Sequence, residues 1–168
     1  MSLKIALTGA TGFVGRTVVS AVMAKNCQVS ALVRDPARAE MNSKVRQVQG
    51  DLQNNAALDD LTRNADVVIH IAGVIGALRR NDFFVANEQG SLAVAEAAAR
   101  NGVKRFVHIS SLAAREPGLS MYGASKRAGE VAVEEFKTRM SVVVLRPPAV
   151  YGPGDRGTLP LLRSLTQA

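Results

Sequence analysis

Cysteine, aromatic residues and long apolar runs are scarce in this sequence. Cys27 is its one cysteine, tryptophan is absent, and aromatic residues make up 4% of the 168 residues. A single cysteine excludes an intrachain disulfide and suits a reducing compartment, so we expect a cytoplasmic protein. No apolar run is long enough to span a membrane, and the apolar stretch within MSLKIALTG is too short for a signal peptide.

Basic blocks are missing as well, although the net charge is +7 and the isoelectric point about 10.2. The lysines and arginines are scattered, and no basic segment is interleaved with aromatic residues. We therefore expect neither a nucleic-acid nor a membrane partner, and we assign the charge to solvated surfaces and a few phosphate contacts. Nucleic-acid binding stays an alternative that rests on the charge alone.

The two histidines do not form a metal-binding pattern. His70 and His108 lie within apolar, strand-like runs, and no cluster of cysteine, histidine and carboxylate residues accompanies them. We predict that they are packed or flank a ligand, and that the protein has no metal site.

Short apolar runs alternate along the chain with segments of helical periodicity. The strand-like runs are 3–7, 28–33, 45–49, 66–72, 105–110 and 141–146, and the helical patterns are 18–25, 58–65, 83–100 and 120–138. Most strand runs are continuously apolar, as in a parallel sheet that is buried on both faces. The sequence therefore predicts an α/β, doubly wound, mostly parallel sheet, and the length suits a single domain over residues 1–168.

A glycine-rich turn joins the first predicted strand to the first helix. Gly9, Gly12 and Gly15 stand three residues apart in TGATGFVG. Glycines let backbone amides approach a pyrophosphate, and the following helix N-terminus offers free N–H groups and a positive dipole end. The pattern is neither GxGxxG nor a Walker loop, but its position directly after a strand predicts a dinucleotide-phosphate site.

The end of the second strand indicates which dinucleotide is preferred. In this type of fold an acid at that position binds the ribose 2′-hydroxyl, but here the strand ends in ALVRDP, with Arg34 in place of the acid. An arginine fork suits a 2′-phosphate. We therefore predict NADP, or less favourably NAD, as the cofactor.

The segment YGASK places Tyr122 and Lys126 on one helix face, because residues four apart are neighbours there. A lysine ammonium favours the phenolate form of a tyrosine, which otherwise has a pKa of about 10. The spacing alone is common in helices, so whether Tyr122 and Lys126 form an acid/base pair depends on the rest of the chain.

Seven motifs in order resemble one family. They are TGATGFVG (8–15), GDL (50–52), HIAG (70–73), Asn87 with Gly90, HISS (108–111), YGASK (122–126) and LRPPAVYGPGD (145–155). This order is similar to that of extended short-chain dehydrogenases/reductases, in particular the NAD-dependent epimerase/dehydratase group. The resemblance covers residues 3 to about 157 and implies a Rossmann-like sheet of order 3-2-1-4-5-6 with helices on both faces.

The resemblance also implies roles for individual residues. Ser111, Tyr122 and Lys126 match the catalytic residues of the family, which assist hydride transfer at a hydroxyl or carbonyl carbon of a small-molecule substrate such as a nucleotide sugar. Together with Arg34, the expected cofactor-binding residues are Gly9, Thr11, Gly12, Phe13, Val14, Gly15, Asp51, Leu52, Ala72, Gly73, Lys126, Pro147 and Val150.

Two departures from the family pattern leave alternatives open. The segment SLAAREPG (111–118) lacks the VYG that commonly follows the serine, which puts a nucleotide-sugar substrate in doubt. The chain also ends at TLPLLRSLTQA, where family members continue with a substrate-binding part, so it is a fragment or a short relative. An enzyme is the leading hypothesis, and a non-catalytic NADP(H)-binding sensor or assembly module is the other.

Association is predicted from the same resemblance. In this family the helices at about 83–100 and 122–138 commonly pair across a two-fold axis. The second of them carries the small residues Ala128, Val131 and Ala132, which permit close helix approach. We therefore expect a homodimer.

Overall fold

The computed structural model describes residues 2–155, which form a six-stranded parallel sheet in the order β3-β2-β1-β4-β5-β6. The strands are β1 (Lys4–Thr8), β2 (Gln28–Val33), β3 (Arg46–Gln49), β4 (Val67–His70), β5 (Arg105–Ile109) and β6 (Ser141–Leu145). The predicted fold class and strand order are thus confirmed. β4 ends two residues earlier than predicted, because the apolar run continues through Ile71 and Ala72 beyond the residues that pair in the sheet, and β5 and β6 each end one residue earlier.

Within the described residues, five α-helices accompany the sheet: α1 (Phe13–Met23), α2 (Asn55–Thr62), α3 (Arg80–Phe84), α4 (Gly90–Arg100) and α5 (Met121–Glu134). α1 begins five residues before the predicted start, directly after the glycine turn. α5 begins after Ser120, whose Oγ accepts a hydrogen bond of 2.9 Å from the Gly123 N–H, and it ends before Thr138. This N-cap explains why a helix starts at the YGASK segment.

The helix predicted over 83–100 is wrong as one continuous α-helix. The structure has α3, then a π-helical segment at Val85–Gln89, and then α4. Such a widened turn is often found at functional sites. Asn87, in its centre, is buried and makes polar contacts that are described below.

The core has two parts, one on each face of the sheet. Phe106, Leu58 and Val133 are fully buried in the larger cluster, where the sheet meets α2, α4 and α5. Leu7 and Ala31 form the smaller cluster beneath Val19 of α1. Because all six strands are parallel, their carboxyl ends lie at one edge of the sheet, where the loops carry the predicted site residues. No helix within residues 2–155 is long and apolar enough to cross a membrane.

Candidate cofactor and catalytic site

The glycine turn between β1 and α1 has a backbone geometry suited to binding an anion. Gly9 has φ +75°, and a Cβ there would lie 2.6 Å from the Ala72 nitrogen, while a Cβ on Gly15 would lie 2.0 Å from the Gly9 oxygen. Both positions therefore require glycine. A Cβ on Gly12 would meet only the Gly9 oxygen, at 3.3 Å, and no side chain caps α1. The first N–H groups of α1 are thus available to a pyrophosphate, which fits the implied dinucleotide.

Three of the expected cofactor-binding residues, Arg34, Asp51 and Leu52, lie at two neighbouring strand ends. Arg34 is exposed directly after β2, and the Gly50 N–H donates a hydrogen bond of 2.9 Å to the Val33 carbonyl, which brings Asp51 to the same edge. Asp51 accepts a hydrogen bond from the Gln53 N–H, and Leu52 packs against Gly90 at the start of α4.

Lys126 lies at the centre of the predicted catalytic group. It is buried, with 4% of its surface exposed, and its Nζ donates a hydrogen bond of 2.8 Å to the Ile109 carbonyl at the end of β5. A Cβ on Gly73 would lie 3.7 Å from the same Nζ. Burial lowers the pKa of Lys126 to about 8, although the negative charge of Glu130 opposes the shift. The fold therefore brings Lys126 to the ends of both β4 and β5.

Tyr122 and Ser111 lie on segments that pack against each other. Tyr122 is in the first turn of α5, with its ring centroid 6.5 Å from that of Phe83 in α3. Ser111 begins a short 3-10 turn, and its Oγ accepts a hydrogen bond of 3.2 Å from the Ala113 N–H. A Cβ on Gly123 would lie 2.6 Å from the Ala113 oxygen. The turn that follows Ser111 is therefore held against the turn that carries Tyr122.

The loop after β6 joins the same group. The Pro147 carbonyl accepts a hydrogen bond of 2.9 Å from the Leu112 N–H, which ties this loop to the Ser111 turn. Val150 is exposed, and a Cβ on Gly152 would lie 3.8 Å from the Phe13 ring at the start of α1. The loop thus returns to the glycine turn.

Sequence reasoning missed a buried hydrogen-bond chain behind the site. The Ser91 hydroxyl donates to the Asn87 carbonyl at 2.7 Å, so it accepts from His70 Nε2 at 3.0 Å. His70 Nδ1 then accepts from the Thr8 hydroxyl at 2.7 Å, and Thr8 in turn accepts from the Ala72 N–H at 3.3 Å. This order assigns the proton of the neutral imidazole to Nε2. These hydrogen bonds link β1, β4 and the π-helical segment. The sequence carries no local signal of them.

Asn87 connects this chain to α5. Its Oδ1 accepts a hydrogen bond of 2.8 Å from the Val74 N–H, and its Nδ2 donates 2.9 Å bonds to the Val74 carbonyl and to Ser125 Oγ. Ser125 Oγ donates to the Tyr122 carbonyl at 2.8 Å. The side chain of Asn87 therefore fixes the loop after β4 relative to the helix that carries Tyr122 and Lys126.

The two histidines are buried and stacked, with ring centroids 5.4 Å apart. Burial, and then the charge of Lys126, lower the pKa of His108 to about 3. Burial, His108 and Lys126 likewise hold the pKa of His70 well below its usual range. Both rings are consequently neutral near pH 7, and among the described residues His108 has no hydrogen-bond partner.

A parallel sheet of this order, with a glycine turn open at a helix N-terminus and a buried lysine one turn from a tyrosine, defines a nucleotide-cofactor-binding domain of the Rossmann type. The chain matches the NAD-dependent epimerase/dehydratase family over residues 5–167 and belongs to that family. Members with similar sequences include proteins named as reductases, epimerases and dehydrogenases, so the family is one of enzymes.

Two curated relatives illustrate the range of activities. The chain is 48% identical over 161 residues to a ceramide reductase of Caulobacter vibrioides, covering 95% of this chain and 50% of that protein. It is 28% identical to a UDP-glucose 4-epimerase of Vibrio cholerae, covering 98% of this chain and 57% of that protein. The chain thus spans about half the length of the curated relatives that it matches.

A solved structure resembles the fold as well. UDP-glucuronic acid 4-epimerase of Bacillus cereus, in complex with NAD, superposes with a TM-score of 0.80 at 26% identity, covering 92% of this chain and 58% of that protein.

Proposed function

We propose that this chain carries the cofactor-binding and acid/base residues of an oxidoreductase that acts on a hydroxyl or carbonyl carbon. The observation that carries the proposal is the placement of Lys126. Its ammonium is buried beside Gly73 and the end of β5, one helical turn from Tyr122. When bound, the nicotinamide ring supplies the hydride acceptor or donor.

The residues of the chain then have separable tasks. In the oxidation direction the Tyr122 phenolate takes the proton of the substrate hydroxyl as the carbon gives up a hydride, and in reduction the phenol returns that proton. The positive charge of Lys126 favours the phenolate. Ser111 donates a hydrogen bond to the substrate oxygen. Acid/base assistance of this kind typically contributes roughly 10²–10⁴-fold to the rate.

The cofactor is held by the glycine turn, and we propose that it is NADP in preference to NAD. The support is Arg34, which stands exposed at the end of β2 where an acid would select the free ribose hydroxyl. A charge-assisted hydrogen bond to a 2′-phosphate contributes roughly 1.5–3 kcal/mol, which corresponds to about tenfold or more in affinity.

For the substrate, the loops beside Tyr122 favour a lipid with a carbonyl or hydroxyl group over a nucleotide sugar. Five large apolar side chains stand exposed after β4, after β5 and at the start of α5: Ile75, Leu78, Leu112, Leu119 and Met121. A hydrocarbon chain gains free energy by covering such a surface. The 48% identity to a protein named ceramide reductase agrees with this substrate class. The epimerases among the relatives support the second candidate, a nucleotide sugar.

The test is to follow reduced-cofactor oxidation with a ketone analogue of a ceramide, and epimerisation with UDP-glucose. Oxidation of NADPH by the ketone is expected, and Tyr122→Phe should slow it by roughly 10²–10⁴-fold. Turnover of UDP-glucose alone would favour the second candidate. Tight NADPH binding without turnover of either compound would favour a non-catalytic cofactor-binding module instead. We further propose that the protein is cytoplasmic, which its single cysteine supports. We also propose that it is a homodimer that pairs through the faces of α4 and α5.

A further inference from the structure

Glu130 is a fully buried carboxylate on the helix that carries Tyr122 and Lys126. It lies one turn beyond Lys126, on the same side of α5. A buried carboxylate is costly unless it is paired and hydrogen-bonded, so its partners indicate why this position holds an acid.

Both oxygens of Glu130 are hydrogen-bonded, and the donors come from two strand ends as well as from α5. Oε1 accepts from Ser110 Oγ at 2.5 Å and from Arg146 Nε at 2.8 Å. Oε2 accepts from Arg146 Nη2 at 2.6 Å and from Arg127 Nη1 at 2.8 Å. Arg146 donates to both carboxylate oxygens, which fixes the angle of the Glu130 carboxylate as well as its position.

The donors at the strand ends are direct neighbours of predicted site residues. Ser110 precedes Ser111 at the end of β5, and Arg146 precedes Pro147 at the end of β6. One carboxylate thus connects α5, with its Tyr122 and Lys126, to the loops that carry the predicted site residues Ser111 and Pro147.

We propose that Glu130 is a positioning residue of the site, which fastens α5 to the ends of β5 and β6 and supplies the negative charge that keeps the Lys126 ammonium protonated. The inference rests on the proposed function for its consequence in catalysis, but the contacts and the charge are properties of the chain alone.

The electrostatic part follows from the surroundings of Lys126. Lys126 interacts electrostatically with His70 on β4, His108 on β5 and Glu130 on α5 itself. Glu130 is in turn paired with two cations, Arg127 on α5 and Arg146 after β6. The two histidines are neutral near pH 7, so Glu130 is the anion that opposes the effect of burial on Lys126. Arg146 neutralises part of that anion from the other side.

This arrangement predicts opposite effects for two neutralising substitutions. Glu130→Gln keeps the size and the hydrogen-bonding oxygen but removes the negative charge, so Lys126 should lose its proton at a lower pH. Arg146→Gln removes one of the two cations that offset Glu130, so Lys126 should lose its proton at a higher pH. If the ion pair of Glu130 and Arg146 had only a structural role, the two substitutions would not shift the Lys126 titration in these opposite directions.

The experiment is an NMR pH titration of the chain with ¹³C-labelled lysine side chains, in which the Lys126 signal is assigned with Lys126→Arg. We expect Glu130→Gln to lower the Lys126 midpoint by about one pH unit, the lower end of the range for a nearby charge, and Arg146→Gln to raise it. Glu134→Gln, which removes a partly exposed carboxylate that is paired with Lys137 one turn further along α5, should leave the midpoint unchanged. A folded Glu130→Gln protein with an unchanged midpoint would overturn the proposal. If Glu130→Gln does not fold, the proposal would be overturned by an Arg146→Gln protein in which the Lys126 midpoint is unchanged or lower.

The positioning part is tested by NADPH fluorescence titration of Ser110→Ala, which removes one tether and keeps every charge. Affinity should fall roughly three- to tenfold relative to the parent chain, since the loops after β5 and β6 are then held less firmly. Unchanged affinity would leave no positioning role for the Ser110 contact. A parent chain that binds neither NADPH nor NADH would instead contradict the proposed function, while the lysine titration would still decide the charge relationship.

Discussion

A Cβ atom added to Gly129 of α5 would lie 2.1 Å from the carbonyl oxygen of Asn87 in the π-helical segment. This is a backbone contact between α5 and the segment between α3 and α4, and Asn87 also bonds Val74 and Ser125 through its side chain. The close approach therefore sets the distance between the loop after β4 and the helix with Tyr122 and Lys126.

Gly129→Ala should consequently destabilise the protein. The added methyl group cannot fit without a shift of backbone, and overpacking of this kind costs typically about 1–3 kcal/mol. Gly118→Ala is the matched control, because a Cβ on Gly118 would meet no atom within 4 Å. Urea unfolding monitored by circular dichroism gives both free energies. Equal stability of the two variants would show that α5 can move away from Asn87 freely.

Tyr122→Phe should preserve the fold and cofactor binding and reduce turnover by roughly 10²–10⁴-fold, the usual scale for a lost acid/base group. Tyr151→Phe is its control, since Tyr151 is the other tyrosine of the chain and is 74% exposed. Lys126→Ala should in addition weaken cofactor binding. Steady-state kinetics and NADPH titration separate these effects, and undiminished turnover of Tyr122→Phe would exclude Tyr122 as the acid/base.

Arg34→Asp should reverse or erase a preference for NADP(H) over NAD(H), because it replaces a cation suited to a 2′-phosphate by an acid suited to the ribose hydroxyl. Arg63→Asp makes the same charge change at an exposed position after α2 and should leave the ratio of affinities unchanged. Calorimetry with both cofactors at fixed salt measures the ratio. Equal affinities in the parent chain would contradict the assignment of Arg34.

The carboxylate of Glu130 should make part of the stability depend on acid pH. Burial alone would raise its pKa, but hydrogen bonds from Arg146, Ser110 and Arg127 lower it from 4.5 to about 2. A carboxyl whose pKa is lower in the folded state stabilises the fold above its unfolded pKa, and this contribution is lost as the pH falls from about 4.5 to about 2.

The free-energy difference between the parent chain and Glu130→Gln should therefore shrink by roughly 1–3 kcal/mol over that interval, since one pKa unit corresponds to about 1.4 kcal/mol and the arginines are partly solvated. Urea unfolding at a series of pH values measures the difference. Glu134→Gln serves as the control. A free-energy difference between the parent chain and Glu130→Gln that stays constant with pH would contradict the lowered pKa of Glu130.

Association through α4 and α5 should be sensitive to charge on the exposed face of α5. Val131→Arg is expected to convert a dimer to a monomer, because it places a charge among the small residues of that face. Val143→Arg is the control: Val143 lies on β6 and is 46% exposed, against 48% for Val131. Light scattering over a wide concentration range gives the mass. A parent chain that is monomeric throughout would exclude the dimer.

Much of the fold is predictable from the sequence because its signals are local. Short strand-like runs, most of them continuously apolar, identified the six strands of the described sheet, and the strand–turn–helix context of Gly9, Gly12 and Gly15 indicated the cofactor turn. The start of α5 follows from Ser120 as an N-cap. The order of seven short motifs placed the chain in its family before any contact was known.

The tertiary structure decided what depends on residues far apart in the chain. A periodicity of apolar residues cannot show that the helix predicted over 83–100 widens at Asn87, because the side-chain bonds to Val74 and Ser125 come from other elements. It also cannot show that Glu130 meets Ser110 and Arg146, since burial and pairing of a charge arise only when β5, β6 and α5 pack together. Local patterns thus determined the elements and the chemistry-bearing residues, while packing determined which of those residues meet and in which protonation state.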